Sequence, residues 1–137
     1  MYRTSLPVNP LKLIALNRDV FFGVRLRNLA KELGYELTLA PTAAAVDGAL
    51  AESASQVALV IIDMNVLKTG VDWDTVRGII VRYPDVPTLG FGSHTDVETR
   101  RTAKQVGVTR IVANSEFQRD AAALIQRYAR VLDGTES

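Results

Sequence analysis

Asp63 is the residue of this chain best placed to do chemistry. It closes the apolar part of Ala58–Asn65 (ALVIIDMN), where five apolar residues lead straight into a carboxylate. A continuous apolar run of this length reads as a strand buried on both faces. The carboxyl end of such a strand is where open parallel sheets keep their ligands. Other reactive types are sparse. His94 is the single histidine and follows Ser93. It has no partner at ligand spacing, so a surface position is preferred over a dyad or metal pair. Ser93-His94 adjacency is not a triad, because triad groups meet in space rather than in sequence. Gly90 and Gly92 in LGFGSHT belong to no phosphate loop, since GxxxxGK[ST] is absent and the third glycine of a dinucleotide fingerprint is missing. Close backbone packing is their expected use. Trp73 falls near the rim of the same edge, as a half-buried packing residue in preference to a partner anchor.

Composition narrows the classes. The chain has 137 residues, 47% of them apolar and 23% charged, with a formal net charge of +1. That balance makes no electrostatic case for nucleic acid or an anionic membrane. Cysteine is absent, which removes disulfides, thiolate metal sites and thiol nucleophiles and favours a reducing compartment. MYRTSLPVNP lacks the apolar core of a signal peptide, and no apolar run approaches membrane-spanning length. A cytoplasmic domain is expected.

The elements that must position Asp63 alternate β and α five times. Leu11–Leu16 reads as strand one, followed by a helix from an Asp19 cap with Phe22, Leu26, Leu29 and Leu33 in helical register and Gly34 as its stop. Strand two is Glu36–Ala40, and an alanine-rich helix follows from Pro41-Thr42 to about Glu52 with Val46, Ala49 and Leu50 inward. Strand three is Val57–Ile62. A loop over Met64–Gly70 leads to a helix from about Asp72 to Tyr83, which Pro84 ends. Pro87–Gly92 is strand four, Thr95–Val106 a polar helix stopped by Gly107, and Thr109–Ala113 strand five. The last helix carries the stripe Phe117, Ala121, Leu124, Ile125, Tyr128 and Leu132. Right-handed crossovers then give one α/β domain, a flavodoxin-like (βα)5 doubly wound parallel sheet of order 2-1-3-4-5. Its bounds are 11–132, with an irregular arm at 1–10 and a frayed tail at 133–137.

This order, with Asp63 ending strand three, resembles the receiver domains of two-component response regulators over about residues 11–132. PDVPTLGFGSHTDVETRRTAKQVGVTRIVAN looks like a receiver's second half, with Pro87 opening strand four and Gly107 preceding strand five. The resemblance implies a phospho-accepting aspartate, matched by Asp63 in VIIDMN. It implies magnesium held by two acids ending strand one, where this chain has Asn17 and Arg18; Asp19 comes one residue late and is placed as a cap. It implies a Thr or Ser ending strand four, where Gly92 stands with Ser93 one place on. It implies a lysine and a proline after strand five, where Asn114-Ser115 stand. Asn65 matches a position that offers the metal only its backbone carbonyl. Leu67 replaces a customary proline, Gly70 arrives one residue early, and Ile111 takes the place of an aromatic switch residue. Asp63 alone is a poor site for a hard divalent cation, which wants several oxygens. Arg18 would instead pair with Asp63, a guanidinium in place of the ion.

The chain therefore resembles a degenerate receiver, a pseudo-receiver. It is expected to act in signalling or regulation through protein–protein interaction, without phosphotransfer and not as an enzyme. No DNA-binding element is read after the last helix, and no cofactor is expected. Magnesium enters only in the alternative of a working acceptor at Asp63 assisted by Ser93 and Asp19. A second alternative is a small flavodoxin-like ligand-binding or enzymatic domain, against which stand the missing phosphate loop and the few acid–base residues at strand ends. Helix four is charge-rich, which is ordinarily a solvated face. Receivers use the helix 4–strand 5–helix 5 face for partners, and Arg101, Gln105, Arg110, Ile111 and Arg119 fall on or near it. The expected partner is a regulatory protein or sensor kinase, or a second copy through that face, with no nucleic acid and no membrane.

Overall fold

The computed structural model describes residues 11–132; the expected arm at 1–10 and tail at 133–137 lie outside the described residues. The elements are β1 (Leu11–Leu16), α1 (Val20–Glu32), β2 (Tyr35–Ala40), α2 (Ala43–Ser53), β3 (Val57–Asp63), α3 (Gly70–Arg82), β4 (Thr88–Gly92), α4 (Val97–Val106), β5 (Arg110–Ala113) and α5 (Asn114–Tyr128), with short 3-10 turns at Ala54–Gln56 and Met64–Val66. All strand pairs are parallel, and the order is β2-β1-β3-β4-β5. This is the flavodoxin-like arrangement expected from the βα alternation.

The strands divide their side chains between two cores by the two-residue period of the pleat. Ile14, Leu16, Val60 and Ile62 face α2, α3 and α4 through Val46, Leu50, Val76, Ile79 and Ala103. Leu13, Ala15, Leu59, Ile61 and Phe91 face α1 and α5 through Phe22, Leu26, Phe117 and Ile125. Every residue from Val57 to Ile62 is buried, which is why this run shows no polar alternation. On the α1/α5 side Phe91 and Phe117 stack with centroids 4.6 Å apart, and Phe22 lies tilted at 5.4 Å from Phe91 and 5.8 Å from Phe117.

Side-chain caps place several helix starts. Asp19 accepts from the Phe22 amide and begins α1 as expected. Thr42 does the same for α2. The expected start of α3 at Asp72 is corrected to Gly70, because Thr69 and Asp72 form a reciprocal capping box. The expected loop before it begins with a 3-10 turn. Likewise α4 starts at Val97 rather than Thr95, since Asp96 is its cap. Gly34 and Gly107 have φ of +90° and +99°, the left-handed geometry that ends α1 and α4. Leu132 is not on the last helix: α5 ends at Tyr128 and Ala129 is extended. The chain then turns under the sheet, where Arg130 donates from Nε to Val57 O (2.9 Å) and from Nη2 to Ala54 O (2.7 Å).

The Asp96 cap carries a pH signature. The Thr99 hydroxyl, then the Thr99 amide, hold its carboxyl below the ordinary aspartate value. The folded form is thus favoured by the charged state, so the cap's contribution is present above the unfolded value and lost as pH falls through the folded one. In Thr99→Val the Asp96 titration midpoint is expected to move upward toward the ordinary value, read by NMR on the carboxyl carbon. An unchanged midpoint would show that the hydroxyl does not bind the carboxylate.

Candidate functional site at the carboxyl ends of the strands

Asp63 ends β3, half-buried, in register with Phe91 of β4. Its carboxylate turns back on the following 3-10 turn. Oδ1 accepts from the Asn65 backbone amide at 3.0 Å and from Asn65 Nδ2 at 2.8 Å. Asn65 Nδ2 also donates to Asn114 Oδ1 at 3.3 Å. A chain of amides therefore ties the end of β3 to the first residue of α5. The structure brings Asp63, Asn65 and Asn114 into one network.

The β1–α1 turn is engaged elsewhere. Asn17 is buried, and its side chain closes on Asp19: Nδ2 donates to Asp19 O at 2.9 Å and Oδ1 accepts from Asp19 N at 3.2 Å. The Asp19 carboxylate is taken by the α1 cap. Arg18 is exposed and lines a groove beside α1. The expected Arg18–Asp63 pair is corrected: no such bridge occurs among the described residues, and Asp63 is held by its own neighbour two residues on. An adjacent Asn amide closes that contact over a few bonds, with little chain entropy to lose.

At β4 the glycines have a tertiary reason. A Cβ built on Gly92 would lie 3.0 Å from Met64 Cε, and one on Gly90 would lie 3.1 Å from Met64 Sδ. Gly90 and Gly92 share one face of the strand, and the buried Met64 side chain lies over both. Sequence reading assigned the glycines to close packing without identifying the methionine. The available signal was two glycines at i and i+2 beside a strand whose aspartate is followed by a long flexible residue. Ser93 is committed to its own turn, with its Oγ 2.8 Å from Thr95 Oγ1 and accepting from the Thr95 amide at 3.3 Å. His94 is exposed. Trp73 is buried in the α2/α3/α4 core rather than offered as an anchor.

The donor set suits a hydrogen-bonded network better than a hard cation. Around one carboxylate stand two amides, and the described residues hold no cluster of three or more His, Cys, Asp or Glu. On the α4–β5–α5 face, Arg101 pairs loosely with Glu98 at 3.8 Å, Arg119 with Asp120 at 3.0 Å, and Arg110 lies 6.0 Å from the Tyr128 ring centroid. Gln105 is exposed, while Ile111 is half-buried against the α2/α3/α4 core.

Five parallel strands in this order, five helices and an aspartate ending the central strand together define the receiver fold. Solved structures similar to this chain include response-regulator receiver domains. The chemotaxis protein CheY4 of Vibrio cholerae aligns at 17% identity over 86% of this chain and 98% of that one, with a TM-score of 0.70. A response regulator receiver domain from Clostridium thermocellum aligns at 18% identity over 86% and 93%, also at 0.70. A CheY-like protein (tadZ) from Pseudomonas aeruginosa PAO1 aligns at 15% over 87% and 99%, at 0.65. No protein-family model and no curated protein sequence matches the chain. At these identities the likeness is one of fold.

Proposed function

We propose that this chain is a signalling or regulatory domain of receiver fold that works through protein–protein contacts and does not transfer phosphoryl groups. The observation that supports this reading is the amide network that binds Oδ1 of Asp63 through Asn65 and runs on to Asn114. Placing a phosphoryl group on a carboxylate brings negative charges together, and phosphoryl transfer depends on positioned positive charge to offset them. Here the neighbours of the carboxylate are neutral amides, the Asp19 carboxylate caps α1, and Met64 fills the place above Gly92. These residues do not fit magnesium, and no metal or cofactor is part of the proposal. The partner is a regulatory protein or a sensor kinase. The α4–β5–α5 face remains a surface for a homodimer, with Arg101, Gln105, Arg110 and Arg119 exposed on it. The described residues hold no helix long and apolar enough to cross a membrane, and a cytoplasmic setting is part of this reading.

Trp73 shares its core with Met64 and Leu67, the residues that flank the Asp63 turn, so its fluorescence reports on that turn. Magnesium followed by beryllofluoride is expected to leave the emission unchanged. Acetyl phosphate is expected to add no phosphoryl mass. A saturable change that disappears in Asp63→Asn would overturn the proposal and make the chain a working phospho-acceptor.

A further inference from the structure

An open groove of about 570 Å³ runs between α1 and the edge strand β2, and it begins at Asn17, the residue after the Leu16 that pairs with Ile62. Its apolar wall is Val20, Val24, Leu39 and Pro41, and its basic rim is Arg18 and Arg27. Val20 is 75% exposed and Val24 56%, so the first turns of α1 present aliphatic surface to water. Gly23 shapes the floor: a Cβ there would come within 3.1 Å of Leu39 Cδ1, so the missing side chain lets β2 close on the helix. Arg27 Nη1 donates to Leu37 O at 3.2 Å, which fixes that guanidinium at the rim. Arg18 makes no ion pair among the described residues. One carboxylate, Asp19, lines the groove, and it is occupied by the Phe22 amide. From residue 18 to residue 32 four cations face two carboxylates, Asp19 and Glu32.

We propose that the α1–β2 groove docks a segment of a partner protein in which aliphatic side chains are flanked by carboxylates. The inference deepens the reading of the chain as a protein-interaction domain and rests on it. Aliphatic walls take the apolar side chains, and the two guanidinium groups at the rim take the acids with charge-assisted hydrogen bonds. The groove is open and aliphatic, which suits a peptide chain better than a small polar molecule. Arg27 is held by a backbone carbonyl rather than by an acid of its own chain, so it is pre-positioned for an acid from outside.

The test uses the full chain and two short fluorescein-labelled peptides, one of leucine and glutamate and one of leucine and lysine. The acidic peptide is expected to bind saturably by anisotropy, about tenfold or more tighter than the basic one. Arg18→Glu and Val24→Glu are each expected to weaken it about tenfold, with unchanged circular dichroism and melting because both side chains are exposed. Equal binding of the two peptides, undiminished binding to Val24→Glu, or no saturable binding would overturn the proposal. So would a doubling of sedimentation mass abolished by Val24→Glu, which would give the groove to a second copy. The two readings fail separately. Phosphoryl mass on Asp63 with intact peptide binding removes the reading without phosphotransfer and leaves the groove. Absent peptide binding with no added mass removes the groove alone.

Discussion

Phe117→Ala is expected to lower the unfolding free energy by about 3–5 kcal/mol. Phe117 is fully buried, at 0% exposure. It stacks on Phe91 of β4 and packs against Phe22 of α1, so one ring joins three elements. Removing it forfeits the transfer energy of the ring and leaves a cavity that three rigid elements cannot close together. Urea denaturation would read this as a lower midpoint at unchanged m-value. A loss below about 1 kcal/mol would mean that α5 collapses onto the sheet and that the ring is not a keystone. The effect reaches the site as well. Phe117 lies one turn beyond Asn114, which accepts the Asn65 bond, so loosening α5 is expected to weaken the amide network at Asp63.

The second large effect concerns β4. Gly92→Thr is expected to cost about 1–3 kcal/mol, because the new Cβ meets Met64 Cε at 3.0 Å in a packed core. Methionine can move, which places the cost within that range rather than above it. Met64→Ala alone leaves a cavity and is expected to cost about 2–5 kcal/mol. In the double variant the threonine enters the space the methionine leaves, so the two costs should fall short of their sum by about 0.5–3 kcal/mol. Strict additivity in this double-mutant cycle would show that Met64 does not fill the position above Gly92. A side chain at position 92 and Met64 compete for one volume, and glycine leaves that volume to the methionine.

Much of the architecture was legible because it follows from periodicity. The buried run Val57–Ile62, the helical stripe of Phe22, Leu26 and Leu29, and the alternation of strand and helix each reflect a local repeat that burial imposes on sequence. Handedness rules turned that alternation into a doubly wound sheet, and the order 2-1-3-4-5 was expected as the flavodoxin-like one of the common doubly wound orders. Boundaries were less legible, since Thr69 and Asp96 move two helix starts by side-chain bonds that compete with neighbouring polar residues. Partnerships at the site were legible only in part. Arg18 and Asp63 suggested a salt bridge by charge alone, yet Oδ1 of that carboxylate takes its hydrogen bonds from Asn65, two residues away.

By itself, then, the sequence of this protein determined the βα order, the sheet topology and the place of one carboxylate at a strand end, because periodic burial and chain handedness act locally and leave a repeating record. Only the tertiary structure decided that Met64 lies over Gly90 and Gly92, that Asn65 links Asp63 to Asn114, and that α1 and β2 leave an aliphatic groove rimmed by Arg18 and Arg27. Those features join residues far apart in the chain, through rotamers and close approaches set by the packed whole, and no local pattern encodes them.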